Sequence, residues 1–280
     1  MKVAVVTDST SDMLDLDAER LGVTVVPLYV HIRGATLKDR VEIQTSDIFR
    51  AVTDGAAIPS TSQPAPADFA VQYERLLATH DKVLAVCCSG SLSGTLTSAN
   101  LAAQNFPGRV ITFDSLSASG GLQMQAERAA RLLRSGASVP DTLATLARIR
   151  GQAYIRFTVG TLEYLRRNGR IGGATAFLGT LLNVKPILSL SEGRIEAAGR
   201  SRGDHRAMQD QIDYLRAYKE THGAVRAFYL YTDEPDACSE LREAGRAMGV
   251  QEFGGHQTGA VISCHVGPGT YGCCVEPLEA

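Results

Sequence analysis

Apolar residues in this chain come in short unbroken runs, and the polar residues that close those runs are alike. Positions 3–6 are apolar and give way to TDSTS at 7–11. The run 82–88 gives way to SGSLSG at 89–94, and 109–113 ends in DSLSASGG at 114–121. Short apolar runs closed by Ser, Gly and Asp read as buried strands. After them the apolar spacing changes to three and four. Leu96, Ala99, Ala102, Ala103 and Phe106 share one helical face, which Pro107-Gly108 ends. Pro66 fits the first position of a helix over 68–80, and another helix is predicted over 122–133. Residues 23–30 read as a further strand and 49–55 as the end of a short helix. Positions 59–66, with three prolines in eight residues, form a stiff extended loop. Strands alternating with helices predict a parallel sheet covered on both faces. Ligands of such sheets bind outside the carboxyl ends of the strands, where the hydroxyl-rich stretches would gather.

From about residue 153 the pattern changes. Strands are predicted over 155–161, 225–231, 261–263 and 271–275, with a hairpin over 187–198. Helices are predicted over 162–167, 174–182, 204–221 and 234–248. The fold class expected is therefore α/β in two domains: a parallel α/β domain over 1–152 and an α+β domain over 153–280.

Composition adds exclusions. A length of 280 residues leaves ample room for a core. A net charge of −2 gives no electrostatic footprint for nucleic acid. The six cysteines have no C-x-x-C spacing and lie mostly in apolar runs, as buried residues of a reduced, cytoplasmic protein would; no metal site is expected. No signal peptide or spanning segment fits the pattern, so at most transient membrane contact is expected.

The stretch with the clearest chemistry is SGSLSGTLTS at 89–98. Gly90 and Gly94 let the backbone turn tightly and approach a ligand closely. Unpaired N–H groups at the following helix start favour an anion, and the hydroxyls add neutral donors. The stretch reads as a seat for a small anionic head group. Taken singly, each hydroxyl-rich stretch is an ordinary cap or turn; three at equivalent strand ends point to a site. GPGTYG at 267–272 matches G-x-G-x-x-G but opens no helix, which excludes a dinucleotide fingerprint. Leu92 stands where G-x-S-x-G requires serine, so a nucleophile elbow is absent. A pairing of Ser93 with His265 across the fold would still suit an acyl hydrolase or transferase. A binder of polar anionic small molecules is a further alternative.

VVTDSTSD at 5–12, TSQPAPADF at 61–69, SGSLSGT at 89–95, DSLSASGG at 114–121, TLEYLRRNGRI at 161–171, NVKPIL at 183–188 and HVGPG at 265–269 occur in one order along the chain. Together they resemble the DegV family. The resemblance implies two α/β domains with a long-chain fatty acid between them, and no cofactor. It implies a lipid-binding subunit without catalytic residues of its own, partnered by a separate ATP-dependent fatty acid kinase to which it presents the carboxylate for acyl-phosphate formation. Residue by residue it implies that Thr61 and Ser93 bond the carboxylate, with Ser62 and Gly94 beside them and His265 and Arg202 near the head group. It places Arg170 at the same mouth. Asn168 stands where this family commonly has Gly; Asn tolerates a left-handed backbone, so the turn is expected to survive. With Arg166, Arg167, Arg200 and Arg206, the two arginines could form a basic rim facing the kinase. The candidates for the acyl tunnel are Phe157, Phe177, Leu178, Leu182 and Ile187, with Leu181 and Val184 beside them. A neutral-hydroxyl seat would bind a carboxylate without the desolvation cost of a buried ion pair, while the tail supplies about 0.8 kcal/mol per methylene.

Overall fold

The computed structural model describes residues 1–177, 179 and 184–278. The first half opens β1 (Val3–Asp8), α1 (Asp15–Leu21), β2 (Val23–Val26), β3 (Tyr29–Ile32), β4 (Ala35–Lys38), α2 (Thr45–Thr53), β5 (Ser60–Ser62) and α3 (Pro66–Leu77). It continues with β6 (Lys82–Cys87), α4 (Thr95–Ala103), β7 (Val110–Asp114), α5 (Ser119–Arg134) and α6 (Val139–Gln152). Four strands form a parallel sheet in the order β2-β1-β6-β7, so β1, β6 and β7 end side by side. Antiparallel β4-β3-β5 form a small separate sheet.

The second half contributes β8 (Tyr154–Thr158), α7 (Glu163–Arg167), β9 (Val184–Ser191), β10 (Arg194–Arg202), α8 (Asp204–His222) and β11 (Val225–Tyr231). It ends with α9 (Ser239–Ala247), β12 (Gln251–Gln257), α10 (Ala260–Val266) and β13 (Tyr271–Pro277). Its six strands make one mixed sheet in the order β10-β9-β8-β13-β11-β12. Only β11 and β12 run parallel in it.

Helix α5 is the shared wall. Leu122, Ala126 and Ala129 pack on Val5, Leu84 and Val86 of the parallel sheet. Its other side meets the six-stranded sheet: a Cβ on Gly120 would strike the ring of Phe228, and one on Gly121 would reach Ile155. Further along, charges fasten the same two layers. Arg226 donates to Glu127 at 3.0 Å and to Glu276 at 2.8 Å, while Arg128 reaches Glu276 at 3.0 Å. Arg131 closes over Glu127, and the Arg226 guanidinium lies 4.6 Å from the Phe253 ring centre. All six cysteines are free and buried.

The structure departs from the sequence expectations where the local signal was ambiguous. Residues 23–30 are two strands, β2 and β3, with Pro27 between them. Val261 to Ser263 is helical, part of α10, although β-branched Val261 and Ile262 suggested a strand; the first turn is held from outside by carboxylates. Of the helix expected over 174–182, the described residues show a 3₁₀ turn at Gly172–Phe177. The helix expected over 234–248 is a short 3₁₀ turn, Pro235–Cys238, followed by α9. Helix α6 and strands β4 and β12 are additional elements.

Candidate functional site

The three hydroxyl-rich stretches meet at the carboxyl end of the parallel sheet because β1, β6 and β7 are neighbours there. The aspartates that end β1 and β7 knit them together. Asp8 accepts from Thr10 N at 3.1 Å, from Thr10 Oγ1 at 2.5 Å and from Cys88 N at 2.8 Å. Asp114 accepts from Leu116 N at 2.9 Å and Gly90 N at 3.3 Å. The loop after β6 is also tied to the second half, since Ser89 Oγ donates to Gly193 O at 2.8 Å in the β9–β10 turn. In this loop Ser93 Oγ lies 2.8 Å from Thr95 Oγ1 and accepts from Thr95 N at 3.2 Å.

Opposite this loop stand β5, α10 and the turn after α7. Thr61 on β5 shares a 2.8 Å hydrogen bond with His265 Nε2 on α10, while His265 Nδ1 has no partner. Arg170 donates through Nε to Leu92 O at 3.0 Å and through Nη1 to Asn168 O at 2.6 Å. Thr61, Ser93, Arg170 and His265 all line one cavity that opens to solvent at its mouth. Thr10, Cys88 and Ser119 border it from the sheet side.

Apart from Thr270, the rest of the wall is apolar. Ile155 and Phe157 on β8, Leu190 on β9, Ile195 on β10 and Leu230 on β11 present one face of the six-stranded sheet to it. Leu28, Leu92, Val261, Ile262 and Val266 close the other sides. The cavity thus combines a hydroxyl and guanidinium end with an extended apolar lining.

The other expected site residues lie elsewhere. Ser62 is bonded to His31 Nε2 at 2.8 Å and does not line the cavity. Gly94 caps α4; a Cβ there would overlap the Gln63 side chain, so glycine lets the β5 segment and the Ser93 loop approach closely. Arg202 is exposed at the far end of β10, opposite Val184. At about 3.3 Å per residue it is on the order of 20 Å from cavity-lining Ile195. Phe177 faces a separate surface hollow with Leu162 and Pro186, and packs on the cluster that contains Phe157. Ile187 is buried but out of step by one residue with Leu188 and Leu190, which places it on the opposite face of the strand. Leu178, Leu181 and Leu182 lie outside the described residues. Arg166 and Arg167 both pair with Glu163, at 2.8 and 2.6 Å.

Behind the polar end, two buried carboxylates hold the start of α10. Asp12 accepts from Gly259 N at 2.8 Å and from Ser119 Oγ at 2.6 Å, and Asp39 accepts from Val261 N at 3.3 Å. Burial pushes Asp12 up to about 6, opposed by Arg40 and the Ser119 hydroxyl. Burial likewise pushes Asp39 up to about 7, with the Asp12 charge adding to the effect. Burial, and then the nearby Arg170 cation, press His265 down to about 3, so its imidazole is neutral. Asp12 and Ser119 both hold positive φ, at 55° and 50°, a costly conformation for non-glycine residues that clusters here.

Comparison with known proteins places this geometry. A DegV family model matches residues 2–278. A DegV domain-containing protein of Deinococcus radiodurans is 47% identical over 284 residues, covering 100% of both chains. The chain belongs to the DegV family. A solved DegV family protein from Thermus thermophilus, described by its fatty acid binding, superposes with a TM-score of 0.96 at 49% identity, over 99% of this chain and 100% of that one. A stearic acid-binding protein from Eubacterium ventriosum superposes with a TM-score of 0.86 at 26% identity, over 98% of each. The parallel sheet plus separate mixed sheet is thus the DegV architecture.

Several cavity residues of this DegV chain were not singled out from the sequence. Ile155 could have been, since it shares a strand face with Phe157 at i, i+2. Ser119 and Thr10 sat in recognised motifs without an assigned place. Val261 and Ile262 were hidden by the strand reading of 261–263, and Val266 sat in the HVGPG motif without an assigned place. No metal-holding cluster of His, Cys, Asp and Glu occurs among the described residues. Nor is any described helix long and apolar enough to cross a membrane.

Proposed function

We propose that this DegV-family chain binds one long-chain fatty acid in the cavity between its parallel and mixed sheets and presents the carboxylate to a separate ATP-dependent kinase in the cytoplasm. The observation that carries the reading is the cavity itself: an apolar wall from four strands of the mixed sheet, ending at Thr61, Ser93, Arg170 and His265. Burial of each methylene contributes about 0.8 kcal/mol, so the tail dominates affinity and the polar end sets register. Neutral His265 bonded to Thr61 leaves that hydroxyl able to donate to a carboxylate when Nε2 carries the imidazole proton. Arg170 supplies the positive charge at the same end. The fatty acid ligands of the Thermus and Eubacterium proteins support the same ligand class here.

Two features favour a binder over an acyl hydrolase. Ser93 is bonded to Thr95 rather than to an imidazole, and His265 is engaged by Thr61 with no carboxylate on its other nitrogen. A serine nucleophile needs both a base and its orienter. The apolar lining in turn disfavours a polar small molecule. In this reading Ser93 acts as a donor to a carboxylate and forms no covalent bond.

Organic extraction and mass spectrometry of protein purified from cells tests the ligand: about one fatty acid per chain is expected, and an empty or phosphosugar-loaded protein overturns the reading. Reconstitution with a fatty acid kinase and ATP tests the presentation step. Acyl phosphate should form only when this chain is present. Stoichiometric labelling of Ser93 by a serine-directed phosphonate, lost in His265→Ala, would instead establish the hydrolase.

A further inference from the structure

The turn after α7 holds a residue whose side chain reaches both the approach to β5 and α10. Asn168 Nδ2 donates to Cys264 O at 2.8 Å, to Pro59 O at 3.2 Å and to Tyr164 O at 3.3 Å. Its own backbone carbonyl accepts Arg170 Nη1 at 2.6 Å. Cys264 immediately precedes His265 on α10, and Pro59 leads into β5, which carries Thr61. Arg170 in turn grips Leu92 O, one residue before Ser93. Thr61, His265, Arg170 and the loop carrying Ser93 are therefore linked through one turn.

Backbone need does not explain the asparagine. Its φ is −88° and ψ 5°, which any residue adopts, and the left-handed position falls on Gly169 at φ 68°. Asparagine was expected to be tolerated here for left-handed geometry; the structure gives it a different role. An amide offers two protons, and here three carbonyls share them. Carbonyls surround it, so an aspartate of the same shape would set a negative oxygen against them.

We propose that Asn168 is a positioning residue for the carboxylate seat: it fixes the separation of β5 from α10 at which Thr61 meets His265, and so sets the preference for a carboxylate head group over an uncharged one. This rests on the fatty acid reading above. Without the amide, the tie between the approach to β5 and α10 is lost, the Thr61–His265 bond spans that gap without it, and the donors converge less closely on one point. The apolar lining does not depend on that convergence, so binding of the tail should be spared.

The test compares stearic acid with methyl stearate by displacement of a fluorescent fatty acid, well below each variant's unfolding temperature. In Asn168→Ala the preference for acid over ester should fall by about tenfold, the scale of one lost hydrogen bond to a charged group. Ester affinity should stay within about twofold, a split that a general loss of stability would not produce. Asn168→Ser, which keeps one short donor, should fall between wild type and alanine; it carries the same comparison if the alanine variant does not accumulate folded. Thr61→Val is the control. If Thr61→Val lowers the preference and folded Asn168→Ala leaves it unchanged, the role of Asn168 is overturned while the seat stands. If Thr61→Val also leaves it unchanged, the seat is misassigned and the proposal falls with it.

Discussion

The two ends of α5 join the same pair of sheets with opposite chemistry. At its N-terminal end, Ser119 and the stretches around it offer hydroxyls and backbone groups and leave a cavity. Further along, Glu127, Arg128 and Arg131 meet Arg226 and Glu276 in a network of full charges. The difference follows from what each chemistry tolerates. A neutral hydroxyl can exchange a protein partner for water or a ligand at modest cost, because its desolvation is small. A buried charge cannot lose its partner without a large penalty. One end can therefore open to a ligand, and the other serves as the fixed fastening against which it opens.

The strongest way to break the comparison is to strip one charge from the fastening. Arg226→Ala leaves Glu127 and Glu276, each only 1% exposed, with one arginine apiece, Arg131 and Arg128, both more exposed than the one removed. It should cost about 3–5 kcal/mol in urea unfolding. Fatty acid affinity of the protein that remains folded should change little; a comparable loss of affinity at modest loss of stability would mean the two ends are not separate. Next in size is Gly120→Ala, whose Cβ would strike Phe228 and force the layers apart, at about 1–3 kcal/mol, read as a lowered melting temperature.

Smaller changes sharpen the polar end. Thr61→Val and Ser93→Ala should each weaken fatty acid binding by about 1 kcal/mol and leave its methyl ester almost unaffected. If the chain presents its ligand to a kinase as proposed, phosphorylation should fall further than binding does, since the tail still holds the ligand but no longer in register. Loss of binding with normal turnover per bound ligand would contradict the assignment.

The smallest effect is on pH dependence. Asp12 and Asp39 have folded values near 6 and 7, above the ordinary 3.8. Across roughly pH 4 to 7 the folded state therefore binds more protons at these groups than the unfolded chain does. Their contribution to stability is complete below about pH 4 and is lost as pH rises through 6 and 7. His265, pressed from 6.5 to about 3, acts in the other direction: its contribution is present above 6.5 and is lost as pH falls towards 3. Asp39→Asn should flatten the decline between about pH 4 and 7, and His265→Gln should soften the loss in acid, so both effects fall between about pH 3 and 7. Unfolding midpoints measured across that range check both signs.

Legibility followed the range of the forces involved. The central strands β1 and β6 of the parallel sheet were readable because they are buried on both faces, so their apolar runs are continuous. The clustering of TDSTS, SGSLSG and DSLSASGG also followed from local pattern and the rule that loops gather at strand ends. Helix α10 was not readable: Val261 and Ile262 favour a strand, and what holds them helical is Asp39 and Asp12, over 200 residues away in sequence. Ile187 and Ile155 are equally apolar in sequence, and only strand register shows that Ile155 faces the cavity.

The sequence by itself determined the alternation of strand and helix in the first half, the hydroxyl-rich strand ends and the family to which the chain belongs. These depend on residues near one another, or on motifs read in order. Tertiary structure alone decided that Thr61 meets His265, that Arg170 grips the Ser93 loop and that Arg202 lies at the far end of its hairpin. It also decided that the Asn168 amide donates to Pro59 and Cys264. Each of these depends on which distant segments are brought within 3 Å or so of one another, and hydrogen bonds of that reach leave no periodicity in the chain.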